Sequence, residues 1–205
     1  MMLLSTSLMA AGLVASCSEA TPGDPYPSPA TETQAGNGGN SDVPKVATPL
    51  DAEPFLDRPC DLVPETTLKE LGFTEPGKPD IDSQEAKKLI GPRCSWFDKG
   101  SKDLAVAVHT PKRDNGQGGL TGVYENHKLG IFNFLEVTEV PGHPDYPAVF
   151  SGTDRRSEGD CSTFVGISND LNFVASVNDR DNPTKACPAA QKVAAAVIDK
   201  LKKGA

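Results

Sequence analysis

The sequence predicts an α+β fold in which one antiparallel sheet of about five to six strands carries N-terminal and C-terminal helices on one face. Three observations support this prediction. Runs rich in β-branched and aromatic residues are separated by short turns, the connection that joins antiparallel strands. Helix signals stand at both ends of the folded part of the chain. Four cysteines in that part predict two disulfides.

Residues 1–16 form an uncharged leader with a short apolar region. This region falls short of the ~20 apolar residues that a membrane-spanning helix needs, and its size is that of a secretory signal peptide. It ends in Val14-Ala15-Ser16-Cys17, which resembles the lipobox of bacterial lipoproteins. In that family the cysteine becomes the mature N-terminus and carries lipid. We therefore expect lipidation at Cys17, with an ordinary signal peptide and a chance cysteine as the alternative.

The leader departs from a complete secretory signal because no Lys or Arg precedes its apolar run. We attribute this to a translation start recorded too far downstream. The stretch after the leader is rich in Pro, Gly, Ser and Thr and has little to bury. Residues 17–49 are therefore predicted to be a lipidated cysteine followed by a disordered linker. Residues 50–205 are predicted to be a single domain with its own core.

The chain of 205 residues has a formal net charge of -8. Binding to nucleic acid needs a clustered basic face that neutralises phosphates, so the acidic balance disfavours this class of partner. The basic groups Lys112-Arg113, Arg155-Arg156 and the lysines at 200–203 are interpreted as solvated surface. We expect no nucleic-acid partner.

The other cysteines are Cys60, Cys94, Cys161 and Cys187. An even set in an exported domain predicts two disulfides, and four cysteines allow three pairings. We favour Cys60–Cys94 and Cys161–Cys187, because each pair joins neighbouring elements in one half of the domain. A zinc site is the weaker alternative, since no C-x-x-C occurs and no histidine stands at ligand spacing from a cysteine. We expect no metal and no cofactor.

The first half of the domain carries one clear helix signal and two strand signals. Pro64 and Glu65 suit a first helical turn, and Gly72 suits the position just after the last turn. Residues 83–89 are compatible with a second, short helix. The strand signals, joined as a hairpin by a short turn, are 93–98 and 104–109.

The second half begins with a glycine-rich loop at 115–119 and a short helix whose apolar side chains lie between Leu120 and His127. Residues 131–140 form a strand that we predict to be central, because neither of its faces is cleanly polar. The strands that follow, of which the last two form a hairpin, are 148–150, 161–167 and 171–177.

The last helix is predicted over 187–203. Pro188 suits its first turn, where a backbone N–H has no partner within the helix. Apolar side chains four residues apart form one stripe toward the sheet: Val193, Val197 and Leu201. Lysines near the end complement the negative end of the helix dipole.

No catalytic constellation can be recognised in the sequence. A serine hydrolase needs a nucleophile, a histidine and an acid, yet no G-x-S-x-G pattern occurs. The 3 histidines, His109, His127 and His143, stand apart and are interpreted as satisfied or exposed side chains. Trp96 is interpreted as packing beside the disulfide of Cys94, with ligand stacking as the alternative. We expect no enzymatic activity, and the ligand-binding residues remain unknown at this stage.

Several motifs occur in order along the predicted domain: Arg58-Pro59-Cys60-Asp61-Leu62-Val63, Leu71-Gly72, Cys94-Ser95-Trp96, Pro147-Ala148-Val149, Cys161 and Cys187-Pro188-Ala189-Ala190. In this order and spacing they resemble the actinobacterial lipoproteins of the domain-of-unknown-function 3558 family. The Cys-x-Trp is the most specific element. The resemblance implies a lipobox-bearing exported protein with one small domain in a mycobacterium-like cell envelope. It implies no catalytic residue.

These observations predict a lipoprotein on the extracytoplasmic face of the cell membrane, attached to the membrane through lipid on Cys17. Its expected function is that of a ligand- or protein-binding module of the cell envelope, with an envelope protein or a small ligand as partner. The alternatives are a cell-envelope hydrolase and a structural accessory subunit. A deep apolar pocket would favour ligand binding, whereas a histidine beside a carboxylate and a serine in one cleft would favour the hydrolase.

Overall fold

The computed structural model describes residues 43–98 and 100–204. Its strands are β1 (Lys78–Asp80), β2 (Arg93–Phe97), β3 (Lys102–Val108), β4 (Phe134–Thr138), β5 (Ala148–Gly152), β6 (Asp160–Gly166) and β7 (Asn172–Asp179). They form a 7-stranded sheet in the order β1-β2-β3-β7-β6-β5-β4, and every neighbouring pair is antiparallel. The predicted antiparallel α+β class is confirmed, with seven strands in place of about five to six.

Helical segments lie before, between and after these strands. The α-helices are α1 (Glu65–Glu70), α2 (Thr110–Asp114), α3 (Thr121–Lys128) and α4 (Pro183–Lys203). Single helical turns occupy Glu53–Phe55, Pro59–Leu62, Ala86–Ile90 and Arg156–Glu158. The predicted helices near 65 and 121 and at the C-terminus are therefore present.

The pleat of β7 shows how the two faces of the sheet differ. Phe173, Ala175 and Val177 are fully buried, whereas Val174 and Ser176 between them are only half-buried. Successive side chains of a strand point to opposite faces, so these two sets mark the two faces of the sheet. We call the face that holds Phe173 the α4 face and the other the opposite face.

The main core lies on the α4 face. Helix α4 packs on β6 and β7 with Ala190, Val193 and Val197 fully buried, and Leu68 of α1 belongs to the same core. Each buried valine of this kind contributes about 1.5 to 3 kcal/mol relative to an exposed one. The prediction that the N-terminal and C-terminal helices share one face is confirmed.

The end of α1 has the predicted glycine just beyond the last turn. The N–H of Gly72 donates to Lys69 O at 3.0 Å, and the N–H of Phe73 donates to Leu68 O at 2.9 Å. These two bonds form a Schellman motif, which satisfies carbonyls that the helix itself leaves without a partner. Phe73 is thereby carried into the core, where it is 2% exposed.

Helix α4 begins earlier than the sequence predicted. Its first turn starts at Pro183, directly after β7, and the N–H of Asn182 donates to Asp179 Oδ1 at 2.9 Å. Pro188 therefore lies inside the helix, and its assignment to the first turn was wrong. Proline is favoured at the first position of a helix, and both Pro183 and Pro188 fit that pattern. The helix begins at Pro183 because β7 ends at Asp179, close before it.

Both edges of the sheet differ from the prediction. Strand β1 was missed because it has 3 residues and contains Pro79, which is tolerated only at an edge. Strand β4 lies at the other edge and not in the centre, since it pairs with β5 alone. Its apolar residues reach both faces because Phe134 packs on the main core and Leu135 on a smaller cluster on the opposite face.

The packed part of the chain starts before residue 50, where the linker was predicted to end. Val43 and Val46 are 7% and 5% exposed, and the N–H of Val46 donates to Asn169 Oδ1 at 3.0 Å. Single valines among polar residues and prolines carry no periodicity, so the sequence pattern did not reveal this packing. The predicted leader, Cys17 and the linker up to residue 42 lie outside the described residues.

Candidate functional site

Both predicted disulfides are confirmed. Cys60–Cys94 joins a helical turn to β2, and Cys161–Cys187 joins β6 to α4. Trp96, which is 2% exposed, packs beside the first of them. A Cβ added at Gly77 would lie 2.5 Å from both Cys94 Sγ and Trp96 Nε1, so only glycine allows this contact.

His143 is a satisfied structural histidine, as predicted. It is 8% exposed, with Nε2 lying 3.2 Å from Asp199 Oδ1 and Nδ1 lying 3.2 Å from Lys202 Nζ. A lysine can only donate, so Nδ1 accepts and Nε2 carries the proton that faces the carboxylate. Both ring nitrogens therefore hold the turn before β5 against α4. The exposed His127 contacts Phe132 O through Nδ1 at 3.2 Å.

His109, in contrast, lines a cavity of about 290 Å³ on the opposite face. The cavity lies between the sheet and the segments that cover it, which include α3 and the loops on either side of it. The surface of the cavity is mostly apolar, although polar side chains make up about half of its lining residues. This combination is typical of small-molecule sites, although the volume is at the small end of their range.

The floor of the cavity comes from the central hairpin. Ser162 and Phe164 of β6 stand opposite Ser176 and Val174 of β7 in the register of the sheet. The two serine hydroxyls lie 2.8 Å apart and hydrogen-bond each other. Because each hydroxyl already has a partner, the floor presents a largely apolar surface.

Apolar side chains also form the walls. Val123 of α3 is buried against Phe164, and the rings of Phe132 and Phe164 lie 5.8 Å apart. Leu89 and Ile90 lie on the side nearer β2, and Leu89 is 62% exposed. An apolar ligand in the cavity would cover part of that leucine and remove its surface from water.

Two polar residues lie together at the end of the cavity nearer the β6–β7 turn. The N–H of His109 donates to Asn172 O at 3.0 Å, and the side chains of both residues line the cavity. Asn172 is 2% exposed and its Nδ2 donates to Gly119 O. That bond fixes the orientation of the amide, and Oδ1 is left buried without a hydrogen-bond partner among the described residues.

The His109 imidazole is neutral at pH 7. Burial, with a smaller contribution from the charge of Lys112, lowers the pKa of His109 to about 4. The Asn172 amide favours protonation and opposes this shift. Only its Oδ1 can accept from the ring, so this oxygen lies toward His109, although no hydrogen bond of ordinary geometry joins the two side chains.

The glycine-rich loop positions this end of the cavity. A Cβ added at Gly118 would lie 1.8 Å from Asp170 O, so only glycine lets the loop approach the β6–β7 turn. The approach places Gly119 O within reach of Asn172. The loop was predicted as a loop, but its role as a wall of a cavity was not.

The described residues that line the cavity include a positively charged side chain and no negatively charged one. Lys112 lines it, and no Asp or Glu is found among the described lining residues. The adjacent Asp114 accepts from Arg113 Nε at 3.2 Å, and Arg113 also pairs with Glu53 at 2.6 Å. Lys112 itself has no ion pair within the described part of the chain.

A larger hollow of about 490 Å³ lies on the α4 face beside α1. Trp96 borders it, as do charged residues of both signs, including Glu65, Lys69 and Lys200. Glu65 and Lys69 pair with each other at 2.7 Å on the surface. We take the smaller cavity as the candidate site because its surface is mostly apolar and His109 and the buried Asn172 lie together at one end of it.

Within residues 43–98 and 100–204, no group of three or more His, Cys, Asp or Glu could hold a metal ion. Over the same residues, no helix has the length and apolar character needed to cross a membrane.

Sequence reasoning did not single out Asn172 or the floor residues, and it interpreted Lys112 as solvated surface, whereas Lys112 is half-buried and lines the cavity. One signal was present, since large and small residues alternate in β3, whose Ala105 and Ala107 lie on the opposite face. A row of small side chains on one face of a sheet leaves room above it. The glycine-rich loop that covers this space comes from another part of the chain. The alternation of large and small residues in β3 does not identify that loop.

The fold and the site define an antiparallel α+β domain that packs its terminal helices on one face and holds a small apolar cavity on the other. The chain belongs to the family described as protein of unknown function (DUF3558), whose model matches residues 12–200. The resemblance drawn from the motifs is thereby confirmed at the level of the family. No curated protein and no solved structure matches the chain.

Proposed function

We propose that this protein is a lipid-anchored, extracytoplasmic binding module that holds a small apolar ligand in the cavity on the opposite face of the sheet. The observation that carries the proposal is the cavity itself, whose surface is mostly apolar and whose lining includes Phe164, Val174 and the exposed Leu89. A ligand in the cavity would remove this apolar surface from water.

The same geometry favours binding over hydrolysis. The cavity contains His109, Ser162 and Ser176, but the two serines bond each other and no carboxylate is found among the described lining residues. A serine nucleophile needs a histidine within hydrogen-bond reach and an acid to orient that histidine. The arrangement therefore supports a site that holds its ligand unchanged.

The anchor is supported by the lipobox-like end of the leader at Cys17. Residues 18–42 separate Cys17 from the first described valine, and their composition is that of a flexible linker. A flexible chain of this length spans about 25 to 30 Å on average. The proposed anchor would therefore keep the cavity close to the membrane surface.

Binding can be tested with the neutral fluorescent probe N-phenyl-1-naphthylamine. We expect wild-type protein to bind it, and Ser176→Phe to weaken binding at least about 10-fold because the new ring fills the cavity floor. Val137→Phe is the matched control, because Val137 lies on the same face but is 69% exposed on the edge strand β4 and does not line the cavity. Unchanged binding by Ser176→Phe, in a protein shown to be folded by circular dichroism, would contradict the proposed site.

The anchor can be tested by Cys17→Ser in the full chain. We expect the wild-type protein in the membrane fraction of its own host and the variant in the released fraction, since lipid on the sulfur can no longer form. Mass spectrometry of the wild-type protein should show the added lipid on Cys17. A variant that stays in the membrane fraction would rule out this anchor.

A further inference from the structure

We infer that the ligand of this cavity is a small anionic amphiphile, with an apolar body on the sheet and an acidic group at Lys112. The inference rests on the proposed function, since it specifies the ligand of the same site. It is carried by the position of one lysine, with no carboxylate among the described lining residues, in a cavity whose surface is mostly apolar.

The apolar body is defined by the floor and walls. Phe164 and Val174 form the floor, and Val123, Phe132 and Leu89 surround it. A volume of about 290 Å³ is at the lower limit of ligand cavities, so a single short chain or one small ring system fits and a large lipid does not. The exposed Leu89 marks the side on which a ligand would bury protein surface that is now in water.

The sign of the charge follows from Lys112. The chain as a whole carries -8, yet the cavity is lined by a lysine and by no described carboxylate. The ammonium has no ion pair among the described residues, so a ligand carboxylate or phosphate would meet a free partner. A cationic ligand would instead meet an unfavourable charge beside an apolar surface.

The test uses the full-length Cys17→Ser chain, which avoids detergent, and measures displacement of N-phenyl-1-naphthylamine at pH 7.5 by three eight-carbon compounds. These are octanoate, 1-octanol and octylammonium. We expect octanoate to bind about 5- to 10-fold more tightly than 1-octanol, because one partly buried ion pair contributes on the order of 1 kcal/mol. We expect octylammonium to bind most weakly.

Two lysine variants locate the anion. Lys112→Gln should abolish the preference for octanoate over 1-octanol, whereas Lys88→Gln should keep it. Lys88 is the matched control because it is exposed in the helical turn next to Leu89 and does not line the cavity.

The outcomes separate the two proposals. If the neutral probe binds but 1-octanol competes as well as octanoate, or Lys112→Gln keeps the preference, the anionic ligand is ruled out and the binding module remains. If octylammonium binds as tightly as octanoate, the inferred sign of the ligand charge is wrong. If neither the probe nor any of the three compounds binds, the proposed function itself fails.

Discussion

His109 lies where β3 ends and α2 begins, with one side toward the cavity and its ring 5.8 Å from that of Phe164. The sequence offered a lone histidine at a strand end, and the interpretation as a satisfied or exposed side chain was the simplest one. In the structure its ring is largely enclosed, and burial keeps it neutral at pH 7. Protonation of His109 therefore opposes the folded state.

We predict that His109 makes the protein less stable at acidic pH. The pKa of His109 is about 4 in the folded protein and about 6.5 in the unfolded chain, so between these values the unfolded chain binds the extra proton. Its contribution is fully present above pH 6.5 and is lost as the pH falls toward 4. Between pH 7 and 4.5, the unfolding free energy of the wild type should fall about 2 to 3 kcal/mol more than that of His109→Gln.

Urea denaturation at the two pH values measures this difference. The control is His127→Gln, because His127 is exposed and its replacement should leave the pH dependence as it is in the wild type. Equal pH dependence in the wild type and in His109→Gln would show that the buried ring is not responsible.

At the scale of elements, α4 shows how a local rule can be satisfied at two positions. Both Pro183 and Pro188 precede good helix formers, and the sequence could not decide between them. The end of β7 at Asp179 leaves room for the helix to begin at Pro183. Pro188 therefore interrupts the backbone ladder in the second turn, where its missing N–H leaves one carbonyl without its helical partner.

We predict that Pro188→Ala stabilises the protein by about 1 to 3 kcal/mol, since alanine restores the helical hydrogen bond. Pro188 is exposed, so little packing is lost with the ring. Chemical denaturation with both disulfides intact gives the free energy of unfolding. The comparison variant is Pro183→Ala at the first helical position, for which we expect no gain. Destabilisation by Pro188→Ala would show that the proline ring is itself needed.

At the scale of the whole molecule, the segment before residue 50 ties the two sides of the sheet together. Val46 belongs to the main core and Val43 to the smaller cluster on the opposite face. The N–H of Leu50 donates to Ile167 O at 2.8 Å, which attaches the segment to the end of β6. The folded domain therefore includes residues that composition assigned to the linker.

We predict that Val43→Ala and Val46→Ala each lower the unfolding free energy by about 1 to 2 kcal/mol, because each removes buried methyl groups from a packed cluster. Val137→Ala, at a residue that is 69% exposed, should change it by less than about 0.5 kcal/mol. Urea denaturation of the full chain at pH 7 compares the three variants. If Val43→Ala and Val46→Ala behave like Val137→Ala, the segment does not contribute to stability.

The sequence by itself determined the fold class, the family, both disulfide pairings and the packing of Trp96. Each depends on local periodicity, on turn residues or on spacing that survives without knowledge of distant contacts. The tertiary structure alone decided where β4 stands, where α4 and the packed chain begin, and that a cavity exists. The cavity gathers Leu89, Lys112, Val123 and Asn172 from separate segments, and it forms only because sheet register and a close glycine contact bring them together. Such long-range contacts leave no periodic trace in any one segment of the chain.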